Sequence, residues 1–205
     1  MKVPYYSNPD GTHCFQACLK MILGTFLPKR DFSREELDII SGKAKDKATW
    51  PMKSLLWLQE ERFEVRNIEL FDYQAFADQG AKYLRTIMTE EMVRWSEENS
   101  DLNNEQVSSR EFLRKQIQEM RTPSKDDIRA LTNSGYLLTC ELNAKSLYGE
   151  LGFEGHAVLI KALEDETITL NDPDVGEDII IPWSQFEQAW SANSPSYRNL
   201  IAVKR

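Results

Sequence analysis

The sequence predicts an α+β domain, and three observations carry that prediction. Helical signals fill the first quarter of the chain, short β-branched and aromatic runs fill the last third, and the stretch between is charged and almost free of glycine and proline. Helices followed by a meander of strands fit an N-terminal helical part packed on an antiparallel sheet. The chain has 205 residues, 41% of them hydrophobic, which suffices for one domain with a sizeable core.

The elements follow in order. Phe15, Cys18, Leu19, Ile22 and Leu23 recur at helical spacing and make one apolar face, with Gly24 as the expected end and Thr12 as the expected N-cap. Ser33 and Glu36 form a capping-box pattern ahead of Leu37 and Ile40, and Gly42 is the stop. Residues 63–70 read as a strand. From residue 71 to about 121 the charge density rises and a central helical insertion is expected. Met88, Met92 and Trp95 fall at i, i+4, i+7, as do Leu113, Ile117 and Met120, which predicts two helices separated by residues 101–104. Ser124 and Asp127 repeat the capping pattern, with Ile128 and Leu131 inward and Gly135 as the stop. Strands are expected at 136–142, 156–163, 167–170, 178–181 and 199–203, parted by turn residues at 164–165 and 172–174.

Charge and composition exclude several function classes. Lys+Arg 25 against Asp+Glu 33 gives a net charge of -8 with no basic cluster, so neither nucleic acid nor an acidic membrane is an expected partner. No stretch approaches the ~18 consecutive apolar residues of a membrane span, and the opening lacks a signal-peptide core, so the chain reads as cytoplasmic. Three cysteines and two histidines argue against a disulfide framework and leave few soft ligands. A metal set of His13, Cys14, Cys18 and His156 would lack the usual CxxC pair, so no metal or other cofactor is expected.

Within that small inventory one arrangement carries chemistry. Cys14 lies in the first turn of the first helix, where unpaired amides and the helix dipole stabilise a thiolate. Cys18 and Cys140 read as packing residues. His156 opens a strand, and a tight turn at 164–166 returns the chain to the same end of the sheet, which puts Asp172 beside the imidazole. Taken singly, each has an ordinary explanation: a packed cysteine, a core histidine, a turn aspartate. Together they form an ordered Cys…His…Asp set, the composition of a nucleophile, its base and an orienting carboxylate. His13 is a lesser rival as base, because neighbouring side chains at a helix start diverge.

The segments VPYYSNPDGTHCFQACLKMIL and GHAVLIKALEDETITLNDPD resemble the bacteriocin-processing (double-glycine leader) peptidase-like family, family 39 of the cysteine peptidases, in the papain-like superfamily. IIIPWSQFEQAW and SKDDIRALTNSGYLLTCELN are similar to its closing strand with aromatic helix and to its helix-Gly-strand unit. The resemblance implies a papain-like fold, with Cys14 as nucleophile, His156 as general base and acid, and Asp172 as the orienting group. It also implies an oxyanion hole made by the Cys14 amide and by a side chain at Asn8, where the family carries Gln. Asn is shorter by one methylene, about 1.5 Å of reach. Phe15 stands where the family usually has glycine. A peptide or protein substrate and amide hydrolysis through a thioester acyl-enzyme are the expected function. An acyltransferase using the same triad, or a catalytically weak or inactive binding protein with a protein partner at the insertion, are the alternatives.

Overall fold

Alternation along the strands decides the layering, because successive side chains leave a strand on opposite faces. In the computed structural model, which describes residues 2–192, 194 and 197–205, seven strands form one sheet in the order β2-β1-β7-β3-β4-β5-β6. They are β1 (Glu64–Glu69), β2 (Gln118–Glu119), β3 (Leu137–Asn143), β4 (Gly155–Leu163), β5 (Thr167–Asp172), β6 (Gly176–Pro182) and β7 (Asn199–Lys204). Leu137, Ala157, Leu159, Ile201 and Val203 enter one core. Their neighbours Leu138, Cys140, Val158, Ile160, Leu200 and Ala202 enter a second core behind the sheet.

The first core is covered by α1 (Cys14–Phe26), α2 (Arg34–Ser41), α3 (Met52–Glu60) and the helices of the central segment. The second is covered by α8 (Lys125–Asn133), α9 (Ala144–Leu147) and α10 (Trp183–Ser191), through Ile128, Leu131, Leu147, Phe186 and Trp190. The expected helical layer on a sheet is therefore present, and a second helical layer backs it. All neighbouring strands are antiparallel except β1 and β2, a two-residue parallel pairing at the edge.

Both capping boxes form: Ser33 with Glu36 at the start of α2, and Ser124 with Asp127 at the start of α8. The end of α1 differs from expectation. Gly24 lies inside the helix, which runs to Phe26. Its missing side chain serves packing instead, since a Cβ there would stand 3.0 Å from Pro4 and 3.5 Å from the Tyr6 hydroxyl.

The central segment departs most from its reading. Where two helices are expected there are four: α4 (Tyr73–Gln79), α5 (Ala81–Ile87), α6 (Glu90–Asn99) and α7 (Leu102–Phe112). Met88 stands outside α6, whose buried stripe is Met92, Val93 and Ser96. Leu113, Ile117 and Met120 share no helix. A 3-10 turn at Leu113–Lys115 passes into Gln116, whose φ of 53° breaks the spiral, and β2 follows. Residues 101–104 are no spacer either, because Asp101 caps α7 by accepting from the Asn104 amide at 3.2 Å. Phe71, Tyr73, Phe76, Tyr83 and Phe112 carry the segment into the first core.

Candidate active site

Cys14 is the first residue of α1 and is half-buried, with a free thiol. Thr12 does not cap the helix. His13 takes the N-cap position, and the Thr12 hydroxyl is engaged by Asp10 Oδ1 at 3.0 Å. Instead Asn8 tethers the approach, its Oδ1 accepting from the His13 amide at 2.9 Å. The first-turn amides of α1, that of Cys14 included, have no partner within the helix by its geometry.

The segment before α1 is held against the loop that carries the aspartate. The Asn8 amide donates to Pro173 O at 2.8 Å, and the Tyr5 hydroxyl donates to Asp172 O at 3.1 Å. These bonds bring the Cys14 helix, the start of β4 and the end of β5 together. Asn8 Nδ2 is buried and has no hydrogen-bond partner.

His156 and Asp172 are both buried, and His156 Nε2 lies 2.8 Å from Asp172 Oδ1. The strand register explains the meeting. The β4–β5 ladder pairs Leu159 with Asn171, which leaves Asp172 at the His156 end of the sheet. Cys14 and His156 line the same cleft. With Nε2 facing Asp172, the other ring nitrogen, Nδ1, stands 3.5 Å from Asp174 Oδ2. Burial alone would lower the His156 pKa. The hydrogen bond and charge of Asp172 and the nearness of the Cys14 thiol outweigh it, and the ring is held well above its ordinary value. For Asp172 burial pushes upward, but the hydrogen bond and charge of His156, the Tyr148 hydroxyl and the Asp174 amide bring the carboxyl below its usual value.

Of the expected site residues, Cys14, His156 and Asp172 are thus brought together, with Asn8 beside the same loop. Cys18 and Cys140 are buried, and burial raises both thiols. Cys18 donates to Ala157 O at 3.5 Å. His13 turns away from the thiol, with Nδ1 2.6 Å from Asp10 Oδ1 and Nε2 accepting from Arg34. Phe15 is buried in the first core and also borders the cleft.

Two features were missed in the sequence. Tyr148 donates to Asp172 from 24 residues away, a separation at which no local signal exists. Trp95 of α6 overlies Gly155, where a Cβ would meet its ring at 2.9 Å. The central segment therefore walls the cleft at the Cys–His pair, and Gly155 has to lack a side chain for that close approach. Among the described residues, no three His, Cys, Asp or Glu side chains converge as a metal site, and no helix is long and apolar enough to cross a membrane.

No protein-family model matches the chain, and no curated protein matches it. Solved structures do. A double glycine motif protease from an AMS/PCAT transporter, solved in complex with the leader peptide, matches at 13% identity and a TM-score of 0.52 over 99% of this chain and 91% of that one. A chain from Bacillus anthracis described as C39-like matches at 15% identity and a TM-score of 0.47 over 100% and 96%. At full coverage and such low identity the common property is architecture, and the chain has the fold of the double glycine motif protease, as the resemblance implied.

Proposed function

We propose that the chain is a cysteine hydrolase of peptide or isopeptide-like amides, with Cys14 as nucleophile, His156 as base and acid, and Asp172 as the group that orients the ring. The observation that carries this reading is the buried His156–Asp172 pair at 2.8 Å in a cleft that Cys14 lines beside His156. His156 takes the thiol proton and the sulfur attacks the carbonyl carbon. The tetrahedral oxyanion is held by the Cys14 amide and Asn8 Nδ2. The C–N bond breaks, His156 passes its proton to the leaving amine, and a thioester remains. Water then attacks the thioester, giving its proton to His156, and the released thiolate recovers a proton from the ring.

The unpartnered Asn8 Nδ2 supports Asn in place of the family's Gln. A buried donor without a partner is costly, and such groups persist where a ligand atom completes them. That donor also favours turnover over a fold that serves binding alone.

The test is the rate of Cys14 carbamidomethylation by iodoacetamide at pH 6, read by intact mass. We expect reactivity at least about tenfold above a free small thiol, falling to the free-thiol rate in His156→Ala. A wild-type rate equal to a free thiol and indifferent to His156 would sink the proposal. Digestion of a proteome-derived peptide mixture, active in the wild type and absent in Cys14→Ala, then reads hydrolysis itself.

A further inference from the structure

Beyond the nucleophile and its base, the cleft continues as a pocket across the sheet, with about 90 Å³ open to the centres of water-sized molecules. One water needs roughly 10–15 Å³ by that measure, so several waters or one long side chain fit.

Strand register builds its floor. Glu69 on β1 pairs with Asn199 on β7, Asn199 Oδ1 accepts from the Glu141 amide on β3 at 2.8 Å, and Glu141 pairs with Ala157 on β4, next to His156. Asn67 precedes Glu69 by two residues and shares its face. Trp50, Phe71, Tyr73 and Trp95 stand among the walls.

Its lining carries ordinary neutral donors such as Thr49, Ser96 and Tyr197, but apart from His156 the side chains that carry charge are the two carboxyls of Glu69 and Glu141. Glu69 receives hydrogen bonds from the Tyr73 hydroxyl and from Asn67 Nδ2. Glu141 has no hydrogen-bond donor to its carboxyl among the described residues. Asn67 is fully buried, and its Oδ1 has no partner. None of the described residues lining the pocket is lysine or arginine. Two carboxyls and an orphaned amide oxygen, enclosed by aromatic faces, ask for a ligand that brings N–H donors and positive charge. Because no three acids converge on one point, an organic cation fits better than a metal ion.

We propose that this pocket binds a positively charged group of the substrate, a primary ammonium or guanidinium of the kind borne by lysine or arginine, close to the amide that Cys14 attacks. The substrate class is then a cationic peptide or a peptide-like amide of an amine-bearing chain. The inference rests on the reading of Cys14 and His156 as nucleophile and base. An acidic group in the same place would add to the repulsion between Glu69 and Glu141, and a group without N–H donors would leave Asn67 Oδ1 unanswered. Burial and mutual repulsion already push the Glu141 carboxyl up, to about 8, and a bound cation would relieve both effects.

Cys14 itself can report on the pocket. The probes are three methanethiosulfonates of similar size: the cationic aminoethyl, the anionic sulfonatoethyl and the neutral methyl reagent. Second-order rates at Cys14 are read by intact mass in the wild type, Glu141→Gln and Glu69→Gln, in about 0.5 M salt to screen the net charge of the whole chain. We expect the cation to outpace the anion at least tenfold relative to their ratio on a free small thiol, and each variant to cut that preference at least threefold. A wild-type ratio equal to that of the free thiol, or one untouched in both variants, overturns the pocket proposal. The neutral reagent separates the two readings. If Cys14 reacts with it no faster than a free thiol, the nucleophile reading has failed. A fast neutral rate without charge preference means that only the pocket reading has.

Discussion

At His156 burial and hydrogen bonding oppose each other, and the hydrogen bonds win. The ring's pKa is raised, so its contribution to stability is complete below the unfolded value near 6.5 and is lost as pH rises through the folded value. Asp172 is lowered, so its contribution is present above about 4 and is lost as pH falls through its folded value. The pair is intact near neutrality, where removing one buried partner leaves the other charge uncompensated. Asp172→Asn should cost about 3 kcal/mol of unfolding free energy at pH 7, measured by urea titration. The gap from wild type should narrow on acidification. Asn8→Ala makes the opposite kind of change. It should leave Cys14 alkylation at pH 6 unaltered within about twofold and lower turnover by about 10²–10³, the usual cost of an oxyanion donor. If alkylation fell in step with turnover, Asn8 would be holding the helix start rather than the oxyanion.

At the scale of elements, legibility followed the range of the interactions involved. The capping boxes at Ser33 and Ser124 are local, and both stand where the sequence places them. Six strands were legible from composition, and the hairpin return that carries Asp172 to His156 needed only a tight turn. The central segment was misread because its helices α4 and α5 are seven residues each, too short for an apolar stripe to repeat. Their stability comes from aromatic contacts: in α4 Phe76 stacks on Trp50 at 4.8 Å and Tyr73 meets Phe112 at 4.8 Å, and in α5 Tyr83 meets Phe71 at 5.3 Å. The pocket acids were invisible for a related reason, since Glu69 and Glu141 meet only through the strand order. Such a segment is part of the core rather than an appendage. Phe76, fully buried, should cost about 3–5 kcal/mol when replaced by alanine. That is a large share of the 5–15 kcal/mol typical of a domain, and a single cooperative urea transition at lower midpoint would report it. A Phe76→Ala transition split in two, with the central segment melting first, would show that the segment is energetically separate.

For the whole molecule, 33 acids against 25 bases matter less as a sum than by where the acids lie. Glu69 and Glu141 line the inner cleft and Glu105 lies outside it, and burial raises all three, Glu105 and Glu141 to about 8. An acid raised on folding binds more protons in the native than in the unfolded state between its two pKa values, so stability falls as pH rises through that window. Glu105 and Glu141 each contribute a slope of up to about 1.4 kcal/mol per pH unit between roughly 4.5 and 8. Carboxyls lowered by ion pairs, Asp127 with Arg121 for one, act in the other direction, but they lose their stabilisation only under acid conditions, well below that window. Unfolding free energy should therefore peak near pH 5 and decline toward pH 8, the reverse of a chain whose acids are all paired. Glu105 is the cleanest probe, being 5% exposed and outside the pocket lining, with only a long 3.4 Å bond from the Trp50 amide. Glu105→Gln should flatten the decline by about one group's slope and make the variant more stable than wild type at pH 8. A variant equally or less stable there, with the slope unchanged, would mean that Glu105 stays ionised and paired in the folded chain. The same accounting links stability to ligand. An organic cation that ionises Glu141 on binding should raise the melting temperature more at pH 8 than at pH 5, where that carboxyl must first give up its proton.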